Sequence, residues 1–295
     1  MQDLSRYGVT TTLSMACFAP QLCTSLLNHT GLVDVISGSL PAAAPNSTHG
    51  NLVTAVDGNS NRLIHNSSTA AQWLEDALAW GPAFVKIIAE TPGLSQETIN
   101  ILTKNSHQKH KRVACHAADY TSYVQAATAG VDNVQHSPLD SPITLALAKG
   151  MACNRRAATP TLTIMKAISE KRPSNYSAAE ESVRRLKQAG VSILAGTDAN
   201  LQPGLIASVP FGSSIHDELG LLVTAGLNAG ETLRAATSVP TQHWGLYDRG
   251  TIAPGKRADL LLISGNPLED IRNTQNIRKV WLAGVQFDGE IGTFL

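Results

Sequence analysis

Two histidines, an aspartate and a lysine in this chain stand out because each lies in or directly after a short run of β-forming residues. His116 and His136 each end such a run, Asp198 follows a third, and Lys86 lies inside a fourth that is otherwise apolar. Strands of an α/β barrel deliver their carboxyl ends to one face, so polar groups placed there converge. Imidazole, carboxylate and amine groups in one place can hold and transfer protons. The spacing therefore predicts an active site.

Each of these residues also has an ordinary structural explanation. A single histidine at a strand end is more often a hydrogen-bonded core or loop residue than a functional one. A buried lysine needs a carboxylate partner or a depressed pKa, and Asp198 could be the partner of Lys86. Cys115 precedes His116, and strand alternation points it away from the lumen if His116 points inward, so we interpret it as a packed core residue.

A further polar segment, residues 216–219, begins a predicted helix. His216 is a candidate substrate contact, whereas Asp217 and Glu218 are explained as anions in the first helical turn. Three other histidines lie in or near predicted loops and are interpreted as surface residues: His29, His49 and His65.

The order of elements indicates the fold class. Strand-like and helical segments alternate, which predicts a parallel sheet covered by helices on its outside. A complete TIM-type (β/α)8 barrel has eight strands, so the expectation is an α/β barrel that is one strand short. The polar stretch over residues 41–68 predicts a long irregular loop, either a lid or a segment with some structure of its own. Seven strands are predicted, near Thr11, Val35, Val85, Ala114, Val134, Thr161 and Ile193.

The pattern changes after Gly245, where turns and short strands replace the strand–helix alternation. Residues 250–263 predict a turn, a strand, a second turn and a second strand. Residues 280–287 predict a hairpin with Ala283 and Gly284 at its corner. We therefore expect a barrel over residues 1–244 and a partial C-terminal β-sandwich over residues 245–295, packed against it.

Composition limits the partners. The 295 residues carry a formal net charge of zero, so neither nucleic acid nor a membrane surface is an expected partner. The four cysteines contain no Cys-x-x-Cys pair, and the N-terminal residues lack the pattern of a signal peptide. These features favour a reduced, cytoplasmic protein that acts on a small molecule.

Several segments together resemble the amidohydrolase superfamily, especially its imidazolonepropionase-like branch. The similarity runs from about Gly8 to Val285, and the order and spacing of the segments make it specific. It implies a metal-dependent hydrolase on a TIM-type barrel with a β-sandwich. The segments that carry it are residues 8–11, 85–87, 114–117, 134–137, 195–198 and 250–260.

The resemblance also implies a ligand set, since metal ligands in the family come from fixed barrel strands. The matching positions here are Lys86, His116, His136 and Asp198. They imply one divalent ion, with Zn²⁺ preferred, held by the two histidines and a carboxylated Lys86, with a water in an open position. Asp198 would take the proton of that water. The His-x-His of the family's first strand is absent from this sequence. The resemblance therefore implies a TIM-type (β/α)8 barrel missing its first strand, without one of the two family metal positions.

Three functions remain open at this point. The first is a metal-dependent hydrolase acting on a carbon–nitrogen bond, amide or cyclic amide, of a small molecule. The second is a non-hydrolytic lyase, decarboxylase or cyclase on the same barrel that uses Asp198 and His116 as acid and base. The third is a catalytically inactive remnant. Because a barrel missing a strand exposes unpaired edges, we also expect a homo-oligomer that covers the gap.

Overall fold

The computed structural model describes residues 1–201 and 204–294 and has a curled sheet of parallel strands at its centre. Strand order in the sheet equals strand order in the chain, so the chain crosses over once between each pair of neighbours. All seven predicted strands are present, and the sixth lies just before the predicted position at Thr161. The strands are β1 (Thr11–Ser14), β2 (Asp34–Ala42), β3 (Phe84–Ile88), β4 (Val113–His116), β5 (Asn133–Gln135), β6 (Ala157–Thr159) and β7 (Ser192–Ile193).

Helices cover one face of this sheet and enclose the main apolar core with it. This is the α/β architecture that the alternating pattern predicts. The helices are α1 (Gln2–Arg6), α2 (Pro20–Ser25), α3 (Thr48–Asp57), α4 (Ala70–Leu78), α5 (Gln96–Gln108), α6 (Tyr120–Ala129), α7 (Leu145–Cys153), α8 (Leu162–Ser169), α9 (Tyr176–Ala189), α10 (Ser214–Thr224), α11 (Ala229–Ala235) and α12 (Ser238–Trp244).

The polar stretch over residues 41–68 carries structure of its own. Strand β2 continues to Ala42, and α3 follows with Ser47 as its N-cap, the Ser47 side chain accepting a hydrogen bond from the Gly50 backbone. Gly58, at φ 69°, ends the helix in the left-handed conformation. Apolar periodicity in α3 is weak, so its two caps are the only sequence signal for it.

The sheet is an open half-barrel. Strand β1 pairs only with β2, and β7 pairs only with β6, so within residues 1–201 and 204–294 no strand joins the two edges. The fold class is confirmed as a TIM-like α/β half-barrel. None of the helices in the described ranges is both long and apolar enough to cross a membrane.

The C-terminal residues form a small antiparallel sheet made of β8 (Leu260–Ile263), β9 (Ile277–Leu282) and β10 (Val285–Gln286). The predicted hairpin is present, with Ala283 (φ 51°) and Gly284 (φ 85°) at its corner. Residues 251 and 252, however, form no strand, so residues 250–263 contribute one strand instead of the predicted two. This sheet supports a partial β-sandwich.

Two arginines attach this C-terminal segment to the half-barrel. The Nη1 atoms of Arg249 and Arg257 lie 2.6 Å and 2.7 Å from Asp34 Oδ2 at the start of β2. Burial opposes ionisation of Asp34, but the two guanidinium groups outweigh it and lower the pKa of this carboxyl. A second apolar cluster continues the contact, with Val33 and Val35 against Val280 and Leu282.

The expectation of fully reduced cysteines is wrong. Cys17 and Cys23 form a disulfide that joins the segment after β1 to helix α2, with Cα atoms 6.1 Å apart. The six-residue separation does not match a Cys-x-x-Cys motif, and the pairing depends on how the chain turns into α2 at Pro20. Because disulfides persist in oxidising compartments, the cysteine content no longer favours a cytoplasmic location.

Candidate active site at the strand ends

Strand alternation brings Lys86 and His116 to the inner face of the sheet. Val85 and Ile87 belong to the core between sheet and helices, so Lys86 between them faces the opposite side. In the β3–β4 register Lys86 pairs with Ala114, two residues before His116. His116 therefore lies closer to the open strand ends than the buried Lys86 does.

His136 reaches the same place by a departure from strand geometry. Gln135, which pairs with His116, points inward, because its Oε1 accepts a hydrogen bond from Lys86 Nζ. The next residue of a regular strand would point outward. His136 instead has φ 76°, in the left-handed region, and its ring centroid lies 4.5 Å from that of His116. Its Nδ1 is 2.8 Å from Thr161 Oγ1.

Asp198 follows β7, also with a left-handed backbone at φ 54°. Its carboxyl interacts electrostatically with Lys86 and His49, which places it with the other predicted residues. Desolvation by surrounding protein raises the pKa of Asp198, and the neighbouring Lys86 and His49 oppose this. The Asp198 side chain remains exposed at the open strand ends, so water partly screens its charge.

The two histidine rings are held in the neutral form. Burial lowers the pKa of His116 well below its usual range, and the neighbouring His49, His136 and Lys86 add to this effect. Burial likewise lowers the pKa of His136, with contributions from Lys86 and His49. Neutral imidazole is the form that accepts a proton or binds a metal.

Lys86 is a buried amine with an unusual ionisation. Burial lowers the pKa of its ammonium group to about 8, although Asp198 and Cys115 act in the opposite direction. A substantial share of the side chain is therefore the neutral, nucleophilic amine near pH 8. Cys115 itself is fully buried, and burial raises the pKa of its thiol to about 12, which agrees with a packed core residue.

A histidine and a glutamate that the sequence did not single out complete the cluster. His49, in the first turn of α3, has its ring centroid 4.3 Å from that of His116. Glu90, two residues beyond β3, accepts hydrogen bonds from the His49 backbone N–H (2.9 Å) and ring Nδ1 (3.0 Å). The interpretation of His49 as an ordinary surface residue is wrong. The available signal was that both residues follow the carboxyl ends of strands.

His216 lies elsewhere. Its Nδ1 is 3.0 Å from Thr274 Oγ1, and its Nε2 is 3.0 Å from the Tyr7 carbonyl oxygen. Its ring also packs edge-on against Phe294. The two ring nitrogens thus join α10 to Tyr7 near the N-terminus and to Thr274 in the C-terminal segment. The structure does not bring this predicted substrate contact to the histidine cluster.

The donors fit a metal in their chemistry but do not form a complete ligand set as they stand. In residues 1–201 and 204–294, no three side chains of His, Cys, Asp or Glu are arranged to hold an ion. His116 and His136 provide two neutral imidazoles. A third donor would have to come from another group.

The family follows from comparison with known proteins. The model of the amidohydrolase family matches residues 84–289, which is more than half of the chain and includes Lys86, His116, His136 and Asp198. This chain therefore belongs to the amidohydrolase family, as the sequence resemblance implies.

Individual relatives agree with this assignment. An imidazolonepropionase from Deinococcus deserti is 38% identical over 106 residues, which cover 35% of this chain and 25% of that protein. The chain thus matches only about a quarter of the length of this curated relative.

Solved structures share the fold over nearly the whole chain. A Xaa-Pro dipeptidase with bound methionine has a TM-score of 0.81 at 20% identity, covering 97% of this chain and 77% of its own. An A. niger ochratoxinase has a TM-score of 0.79 at 17% identity, covering 98% and 74%.

Proposed function

We propose that this protein is a metal-dependent hydrolase that cleaves a carbon–nitrogen bond, amide or cyclic amide, of a small molecule. The observation that carries the proposal is the meeting of His116, His136, Lys86 and Asp198 at the strand ends of an amidohydrolase-family half-barrel. The dipeptidase and imidazolonepropionase relatives support this class of bond. Membership of a family of hydrolases favours it over other chemistries on the same barrel.

His116, His136 and a carboxylated Lys86 would hold one divalent ion, preferably Zn²⁺. Carboxylation requires the neutral amine to add to CO2, and the lowered pKa of Lys86 provides that form near pH 8. The carbamate also exchanges a buried cation for an anion beside two imidazoles. When bound, the metal would lower the pKa of its water and so supply a nucleophile near neutral pH.

Asp198 and His49 would handle the protons. Desolvation raises the pKa of the Asp198 carboxyl, which is exposed at the open strand ends. Asp198 would accept a proton during attack and return it to the leaving nitrogen. Glu90 holds His49 at Nδ1, so the free Nε2 of His49 is available above His116. Asp198 and His49 would therefore provide two separate groups that exchange protons with the substrate.

The test compares His116→Ala and His136→Ala with wild type and with His65→Ala, which changes an exposed histidine. Zinc content is measured by elemental analysis after equilibration with Zn²⁺, and turnover is measured on Xaa-Pro dipeptides and imidazolone-type cyclic amides. We expect both cluster variants to lose zinc, and we expect turnover to fall by at least about 100-fold. Loss of a metal ligand should cost more than loss of a residue that only orients a ligand. Full activity in metal-free wild type would refute the proposal.

The second candidate keeps the residues but not the metal. Because no three His, Cys, Asp or Glu side chains of the described residues form a ligand set, Asp198 and His116 could act as acid and base in a lyase, decarboxylase or cyclase reaction. Reaction in ¹⁸O-labelled water separates the two candidates. Hydrolysis places labelled oxygen in the product, and the alternative does not.

We also propose that a second copy of the chain covers the open edges of β1 and β7. Unpaired strand edges favour further pairing, and covering them would shield the inner face of the half-barrel. Light scattering after size-exclusion chromatography tests this. A well-folded monomer whose β1 and β7 amides exchange rapidly with deuterium would refute it.

A further inference from the structure

A buried glutamate on helix α10 has contacts that its sequence position does not predict. Glu218 is 0% exposed and lies beyond the first turn of α10, so the interpretation as a first-turn anion is wrong. Its Oε1 accepts a hydrogen bond from the Leu162 backbone N–H (3.0 Å). Its Oε2 accepts two more, from the Thr163 backbone N–H and from Thr163 Oγ1, both at 2.8 Å. Glu218 therefore caps helix α8 from a neighbouring helix.

Helix α8 needs this external cap because its own N-cap residue does not provide one. Threonine at an N-cap usually has an extended backbone and accepts a hydrogen bond from the helix with its own hydroxyl. Thr161 has φ 49°, in the left-handed region, and makes no side-chain cap bond to α8. Its hydroxyl is engaged with His136 Nδ1 instead.

The left-handed backbone at Thr161 is costly. A β-branched residue is disfavoured in this region and persists only where the surrounding structure holds it. The three hydrogen bonds from the two residues after Thr161 to a fixed, buried carboxylate supply such a hold. A series of hydrogen-bonded contacts thus connects Glu218 through the start of α8 and Thr161 to His136.

We propose that Glu218 is a positioning residue for His136. By capping α8 in place of Thr161, it frees the Thr161 hydroxyl to bind Nδ1 and so fixes the ring orientation of His136 with Nε2 as its free nitrogen. This proposal deepens the proposed function, because it uses His136 as a site residue. The orientation itself is a property of the folded protein and does not depend on turnover.

The test is ¹⁵N NMR of histidine-labelled protein, with the His136 ring signals assigned from their loss in His136→Asn. Glu218→Gln keeps the side-chain size but puts an NH2 group against at least one backbone donor. Thr161→Val removes the hydroxyl. We expect the His136 nitrogens to move toward the average of the two neutral tautomers in both variants. Thr161→Ser, which retains the hydroxyl, and Asp217→Asn, which changes the exposed neighbour on α10, should match wild type.

A folded Glu218→Gln protein with wild-type His136 signals would overturn the proposal. If that variant does not fold, Thr163→Val replaces it, since it removes one of the three hydrogen bonds to Glu218. Unchanged His136 signals in Thr163→Val would then overturn the proposal equally. The hydrolase proposal and the Glu218 positioning proposal can each be refuted without the other. Expected NMR changes in a protein without hydrolase activity would refute only the hydrolase, and hydrolase activity with unchanged NMR signals would refute only the positioning role.

Discussion

Glu90 binds His49 twice, through the backbone N–H and the ring Nδ1, and this double contact sets the ring of His49 beside that of His116. A carboxylate that accepts from one ring nitrogen fixes the proton there and leaves the other nitrogen as a base. The orientation of His49 therefore depends on Glu90 as well as on its position in α3.

Replacement of Glu90 by glutamine should weaken this arrangement, since an amide has one acceptor oxygen for two donors. We expect turnover to fall by about 10- to 100-fold in Glu90→Gln, as for other residues that orient a functional histidine, with zinc content unchanged. Steady-state kinetics and elemental analysis are the measurements. Glu97→Gln, an exposed acid in the first turn of α5, is the control. A loss of zinc in Glu90→Gln would instead make Glu90 part of the metal site.

Carboxylation of Lys86 can be observed directly. In wild-type protein loaded with Zn²⁺ and ¹³C-bicarbonate near pH 8, we expect a carbamate signal in the ¹³C spectrum, because the lowered pKa leaves much of the Lys86 amine neutral. The signal should be absent in Lys86→Gln and present in Lys104→Gln, which changes an exposed lysine on α5. Its absence from wild type would remove Lys86 from the proposed ligand set.

Glu218 should make stability depend on pH. Burial raises the pKa of this carboxyl to about 7, and the bonds from Thr163 and Leu162 only partly oppose it. The folded state then binds a proton that the unfolded state has released, so the free energy of unfolding falls as the pH rises from about 4.5 to about 7. The full effect is about 3 kcal/mol. Urea unfolding at pH 5 and pH 8 should show this slope in wild type and in Glu170→Gln, but not in Glu218→Gln. Equal slopes in all three would contradict the assignment.

The disulfide between Cys17 and Cys23 should contribute modestly to stability. A loop this short limits the entropy that the cross-link removes from the unfolded chain, which gives about 2 kcal/mol. We expect a lower urea midpoint in the double variant Cys17→Ser/Cys23→Ser than in wild type. Cys153→Ser, which changes an exposed free cysteine, should have no effect. An unchanged midpoint in the double variant would show that the unfolded chain gains little freedom without the bond.

The sequence predicted those parts of the molecule that depend on local pattern. Apolar runs located all seven strands, including β3, which contains Lys86, and β4, which ends at His116. The left-handed backbone that directs His136 toward His116 has no signature in the neighbouring residues. The hairpin at Gly284 followed from its turn residues.

The contacts that sequence could not supply are those between distant elements. Helix α3 lies in a polar stretch with weak periodicity, so nothing local indicates that His49 packs on His116. Glu218 has an ordinary helical environment in sequence, and its cap on α8 exists only after α8 and α10 pack together. His216 has the residue type and position of a substrate contact, but its nitrogens lie against the Tyr7 carbonyl and the Thr274 hydroxyl.

Three residues of the cluster and its support have a left-handed backbone: His136, Thr161 and Asp198. At each of them glycine or asparagine would relax the main chain but remove the side-chain atom that the proposed site uses, so selection for stability and selection for the proposed chemistry would act in opposite directions. In a lineage that had given up catalysis, these are the positions where replacement would bring an immediate gain. Retention of all three side chains among relatives would thus separate working enzymes from descendants that only bind.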